Sequence, residues 1–149
     1  MNRKQFVTQS AAVIATTGAL TQLFGQDHKH DSNTMSSPGK NSKYAKAMMA
    51  AIHCKLAAEV CLGHCIAEMA NGDKSLGACA TSTMEVIAAC EAFTTLASQS
   101  SKFTKKLASL CEDICEACAK ECKKHADHHK ECKDCMESCN ACAKEMDKI

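Results

Sequence analysis

Residues 111–122 read "CEDICEACAKEC" and residues 132–142 read "CKDCMESCNAC". Cys111, Cys115, Cys118 and Cys122 fall at i, i+4, i+7 and i+11, and Cys132, Cys135, Cys139 and Cys142 at i, i+3, i+7 and i+10. Both spacings put every sulfur on one face of an α-helix, because residues three and four apart stack along the same side. Lys133, Glu137, Lys144 and Asp147 fall elsewhere on the wheel, so cysteine takes the heptad core positions where a bundle usually has leucine. Met146 continues that stripe.

The same face recurs upstream. Cys54, Cys61 and Cys65 stand at i, i+7 and i+11, and Cys79 and Cys90 stand eleven residues, or three turns, apart. Three breaks divide the chain after Lys43. "NGD" at 71–73 supplies an Asn-Gly stop and an Asp73 N-cap; "SQSSK" at 98–102 supplies serine N-caps; "KKHADHHK" at 123–130 closes one helix with basic residues and opens the next at Asp127. The expected helices span about 43–70, 73–97, 102–124 and 127–148. Connections this short make neighbours antiparallel. The predicted fold is all-α, an up-down four-helix bundle with a cysteine-lined core over 43–149.

The chain begins "MNRKQFVTQSAAVIATTGALTQLFGQ". Arg3 and Lys4 precede a mildly apolar run from Phe6 to Phe24, too polar for a convincing membrane span. It reads as an export signal over 1–25, similar to a twin-arginine leader except that Lys4 replaces the second arginine. Such a leader predicts a periplasmic protein, exported already folded, with no membrane span in its mature form; a cytosolic protein with an amphipathic N-terminus is the alternative. Residues 26–42 are polar, lack periodicity and hold the single proline, so they read as a flexible linker. Cleavage after Gly25 would make His28 the third residue of the mature chain, a position that can chelate Cu(II).

The net charge of +1 and a chain with four Phe, one Tyr and no Trp offer neither a basic field nor a stacking platform for nucleic acid. No nucleophile, base and orienting group form a set, and no paired carboxylates face the cysteine rows, so the pattern does not read as an enzyme. The chemistry lies in thirteen cysteines. As small hydrophobes they would under-fill a core. Side-by-side neighbours on one helix do not meet disulfide geometry, and an odd number cannot pair completely. Structural zinc favours closed tetrahedral sites on turns, whereas the C-x2-C pairs at 115–118, 132–135 and 139–142 lie within helical rows. Iron–sulfur ligation uses loop-borne cysteines. Cu(I) accepts two or three soft ligands and tolerates bridging thiolates, so rows of thiols on facing helices suit a run of cuprous ions best. Zinc, cadmium or another thiophilic ion, and a copper chaperone holding one or two ions, stay as alternatives.

The first–second and third–fourth connections share one end. His64 and Met69 near the end of the first helix, with His125, His128 and His129 in the third–fourth turn, gather soft and borderline ligands there. On the wheel Met69 extends the Cys61–Cys65 face and His125 the Cys118–Cys122 face. Met48, Met49 and Met146 sit toward the opposite end and read first as core or cap residues.

The leader, the "HC" at 64–65, the C-x3-C sets at 61–65, 111–115, 118–122 and 135–139, and "CKKHADHHKECKDC" at 122–135 together resemble the bacterial copper storage proteins. That resemblance covers the chain from about residue 43 and implies a bundle filled with many Cu(I) ions held by cysteine pairs, with His and Met ligands at the open end. The ligands it implies are the thirteen cysteines with His64, Met69 and His125. It also implies a homotetramer, and a role in stockpiling copper for copper-requiring enzymes or in sequestering it.

Overall fold

The computed structural model describes residues 43–149; the leader and the linker lie outside the described residues. Four helices follow in order: α1 Ala45–Ala70, α2 Gly77–Ser98, α3 Thr104–Lys123 and α4 Lys130–Met146. Each packs on two neighbours, α1 and α3 both against α2 and α4, which makes the square cross-section of an up-down bundle. Ala, Lys, Glu and Leu favour these helices intrinsically, and tertiary burial of the cysteine faces holds them together.

The turns show what stops each helix. At the end of α1 Gly72 takes φ 109°, and the Gly72 and Asp73 amides donate to the carbonyls of Met69 and Glu68, a Schellman closure that glycine makes without a Cβ clash. Asp73 then caps, as expected, but it caps a 3-10 turn at Lys74–Leu76 through Ser75 rather than α2 itself. The α2 end repeats the closure with Ser100 at φ 51°, its amide and that of Ser101 donating to Ala97 and Leu96. The serine caps expected here do not form on α3, which starts at Thr104 with no side-chain bond at its N-cap Phe103; Ser101 Oγ accepts from the Phe103 amide instead. Nor does Asp127 open α4. Tight turns through His125–His129 delay that helix to Lys130, with extended His129 as its N-cap.

The two ends of the bundle differ. Tyr44 precedes α1 and Met48 lies in its first turn, Phe93 and Ala97 lie near the end of α2, Ala108 near the start of α3 and Met146 at the end of α4; all are buried, and antiparallel order brings them to one end. This apolar plug contains the largest fully buried side chain, Phe93. Met48 and Met146 are core residues, as their positions suggested, while Met49 faces outward. By length and hydropathy, Ala45–Ala70 and Lys74–Ser98 are long and apolar enough to cross a membrane. In the bundle their inner faces carry buried thiols.

Candidate metal centre

All thirteen cysteines are free and fully buried, their relative exposure 0%. The helical spacing accounts for this: each row faces the bundle axis along its whole length, about 16 Å for the α3 row at 1.5 Å per residue.

From the apolar end, Cys90 and Cys111 lie 3.9 Å apart. Cys90 joins Cys54, Cys115 and Cys142 in a quartet whose sulfurs are all within 4.8 Å of one another. Cys54 reaches Cys139 at 3.6 Å, and Cys139 forms a trio with Cys118 and Cys135. Cys118 meets Cys122 at 3.8 Å, and Cys122 forms a second trio with Cys61 and Cys135. Cys79 lies 3.5 Å from Cys122 and belongs to the last quartet, with Cys61, Cys65 and Cys132. The thirteen sulfurs thus form one unbroken ladder drawn from all four helices. Two sulfurs on a shared thiophilic ion, each about 2.3 Å from it, sit at most about 4.6 Å apart. The ladder's steps match that span. Among the described residues no disulfide closes any of them.

Burial in a core of sulfur and hydrocarbon disfavours the thiolate. Cys65 and Cys132 are pushed up first by that burial. Other sulfurs are governed first by neighbouring S–H groups: Cys115 and then Cys139 pull Cys54 down to about 5, and Cys122 then Cys135 pull down Cys61 and Cys118. Isolated anions in the metal-free ladder therefore depend on protonated neighbours.

Beyond the Cys61–Cys65–Cys79–Cys132 quartet the chemistry changes. His64 Nε2 and His129 Nδ1 lie 2.8 Å apart, so one nitrogen donates a hydrogen bond to the other. Glu131 approaches His64 Nδ1 at 3.6 Å. His125 stacks edge-on against His129, ring centroids 6.4 Å apart. Met69 is partly buried against the core at the same end. The structure thus brings His64, Met69 and His125 to one mouth, and His129 is the histidine that meets His64. The signal for it was present: His129 precedes Cys132 by three residues and so continues the α4 sulfur face, whereas α3 stops at Lys123 before its face can carry His125 inward.

One further residue escaped the sequence reading. Ser82, on the buried side of α2 between Cys79 and Cys90, has its Oγ 3.5 Å from Cys118 Sγ and 3.0 Å from the Cys79 carbonyl. It occupies α2 beside the trios, where that helix provides no thiol. Eleven residues between two cysteines fix a common face, but not which residue between them completes it.

The family profile described as copper storage protein matches residues 40–149. The Cu(I)-bound copper storage protein BsCsp3 is similar in structure, with a TM-score of 0.66 and 30% identity over 72% of this chain and 98% of that one. A structure described as copper loading to a cytosolic copper storage protein from Streptomyces lividans, with five coppers, gives a TM-score of 0.65 and 26% identity over 70% of this chain and 89% of that one. In sequence, an uncharacterized cysteine-rich protein of Bacillus subtilis, YhjQ, is 33% identical over 97 residues, 64% of this chain and 86% of that protein. The profile match runs through the whole bundle and all thirteen thiols of the ladder, and the chain belongs to the copper storage protein family.

Proposed function

We propose that this chain is a high-capacity store for Cu(I), with all thirteen cysteines as thiolate ligands. The observation that carries the reading is the unbroken ladder, in which each sulfur lies within 4.8 Å of a neighbour, close to the separation of two sulfurs sharing one ion. Loading proceeds by exchange of each thiol proton for a cuprous ion, which removes copper from solution and from redox chemistry. A chaperone would present one or two ions near the surface; here the ligands are fully buried. His64, Met69, His125 and His129 form the entry, capturing ions and passing them to the Cys65 quartet. The ladder serves storage, and catalysis has no part in this reading.

Assembly into a homotetramer is part of the same proposal. Met49, Ile52, Leu56, Val60 and Ile66 make an exposed apolar stripe along α1, with Leu56 60% exposed, and burying that stripe between copies is its simplest use. Export, with delivery to copper-requiring enzymes, rests on the leader alone, which precedes the matched region. Mass spectrometry of the mature N-terminus from a fractionated cell tests it.

The deciding experiment is an anaerobic titration of the reduced protein with Cu(I) against a chromophoric chelator. A store withholds on the order of one ion per cysteine before the chelator colours. Saturation at one or two ions would identify a chaperone or a structural site instead.

A further inference from the structure

Each quartet takes one sulfur from α2, Cys90 in one and Cys79 in the other, and the two trios between them take none. At that level α2 presents Ser82, only 7% exposed, with its Oγ 3.5 Å from Cys118 Sγ and 3.0 Å from the Cys79 carbonyl oxygen. The buried hydroxyls of Thr83 and Thr104 are instead committed to the carbonyls of Ala80 and Leu96. Ser82 is thus the buried aliphatic hydroxyl, among the described residues, that meets sulfur.

A hydroxyl has one proton to give and lone pairs with which to receive. In the metal-free ladder Cys118 is a thiol and a weak acceptor, so the Ser82 proton goes to the nearer and better acceptor, the Cys79 carbonyl. The Ser82 oxygen is then placed to receive the Cys118 S–H. Uptake of a cuprous ion, Cys118–SH + Cu⁺ → Cys118–S–Cu + H⁺, sends that thiol proton to solvent and leaves anionic character on the sulfur. A hydrogen bond to an ionised acceptor is roughly twice as strong as one between neutral groups, so the hydroxyl turns its own proton to Cys118. The Cys79 carbonyl keeps the helical bond from the Thr83 amide. Elsewhere the ladder's hydrogen bonds run from S–H to sulfur, and those donors disappear as metal enters. Ser82 supplies a donor that loading leaves in place.

We infer that Ser82 is a positioning residue for the store: it accepts from Cys118 while the ladder is empty and donates to it once copper is bound. It thereby stabilises the loaded thiolate at the level where α2 has no sulfur. This deepens the storage reading and rests on it. The hydroxyl acts through Cys118 and does not itself hold copper. Its effect is therefore confined to the ions that Cys118 shares, and the two quartets fill without it.

The test compares the reduced full chain with its Ser82→Ala and Ser82→Thr variants, each loaded with Cu(I) anaerobically and then equilibrated with increasing chromophoric chelator. Ser82→Ala should surrender about one or two ions at roughly tenfold lower chelator concentration, with the rest of the curve unchanged. Anomalous peak heights in partly stripped crystals should place that loss at Cys118. Ser82→Thr keeps the hydroxyl and should restore the original curve; Thr83 shows that a threonine on α2 reaches the carbonyl three residues back. In the metal-free proteins, the infrared S–H stretch of one thiol should rise in frequency in Ser82→Ala, because its acceptor is gone. A Ser82→Ala curve that overlays the original, or curves displaced equally for every ion in both variants, would overturn the inference while leaving storage intact. If the unaltered chain held only one or two ions, the storage reading and this inference would fall together.

Discussion

The two ends of the bundle are built from the same four helices and have opposite chemistry. One is closed by Phe93, Met48, Tyr44 and Met146, whose packing is ordinary hydrocarbon. The other carries His64, His129 and Glu131 around the Cys65 quartet and is only partly buried. Between them runs a core that leucine would fill in most bundles and that sulfur fills here. The difference teaches where each property resides. Apolar burial at the closed end favours metal-free stability, and the partly exposed soft ligands at the open end are the proposed point of access. Neither end is needed for capacity, which belongs to the ladder.

The largest expected effect breaks the closed end. Phe93→Ala leaves a cavity in the apolar plug at the closed end, and loss of a buried phenyl group costs roughly 3–5 kcal/mol. Thermal unfolding of the metal-free protein should show a drop of that size, with Cu(I) capacity retained once the ions cross-link the helices. A metal-free protein with unchanged melting would show that the thiols, not the plug, hold the fold.

At the open end the expected effect is kinetic. His64→Ala with Met69→Ala should slow Cu(I) loading or removal about tenfold in stopped-flow mixing and leave the final load unchanged. His129→Ala should reproduce part of the effect, because His129 is the partner of His64. Equal rates in all these proteins would place entry elsewhere on the bundle.

The smallest effect is a pH dependence. Cys65 and Cys132 are raised by burial, so in the folded protein they keep protons that the unfolded chain releases near the ordinary thiol value of about 8.5. Above that pH the folded state binds more protons than the unfolded one, and its stability falls as pH rises. The metal-free protein should therefore melt a few degrees lower at about pH 9.5 than at about pH 7.5. The copper-loaded protein, its thiols already deprotonated, should melt well above the metal-free one and show no such slope. A metal-free protein that gained stability on that side would indicate that S–H donors, of the kind that hold Cys54 at about 5, prevail over burial at these thiols too.

Most of the ladder was legible in the sequence, because helical period and cysteine spacing are both local. Cys111, Cys115, Cys118 and Cys122 need only a helix to share a face, and four such faces in an antiparallel chain have one place to meet. The boundaries were less legible. Asp73 and Asp127 are both good caps, and which of them caps an element depends on the turn that precedes it. Asp73 found the 3-10 turn, and the His125–His129 turns bypassed Asp127. The mouth shows the same limit. The wheel extended α3 through His125, but that helix ends two residues earlier and the returning chain places His129 on His64. Pairings across helices, including Ser82 with Cys118, depend on axial register that spacing within one helix does not carry.

The most direct test of the ladder as a store is an anomalous-diffraction map at the copper edge from crystals of the fully Cu(I)-loaded protein. Copper peaks should run continuously between the sulfurs, from the Cys65 quartet at the mouth to the Cys90–Cys111 pair beside the apolar plug. Peaks confined to the His64–His129 mouth, with the inner sulfurs metal-free, would contradict it.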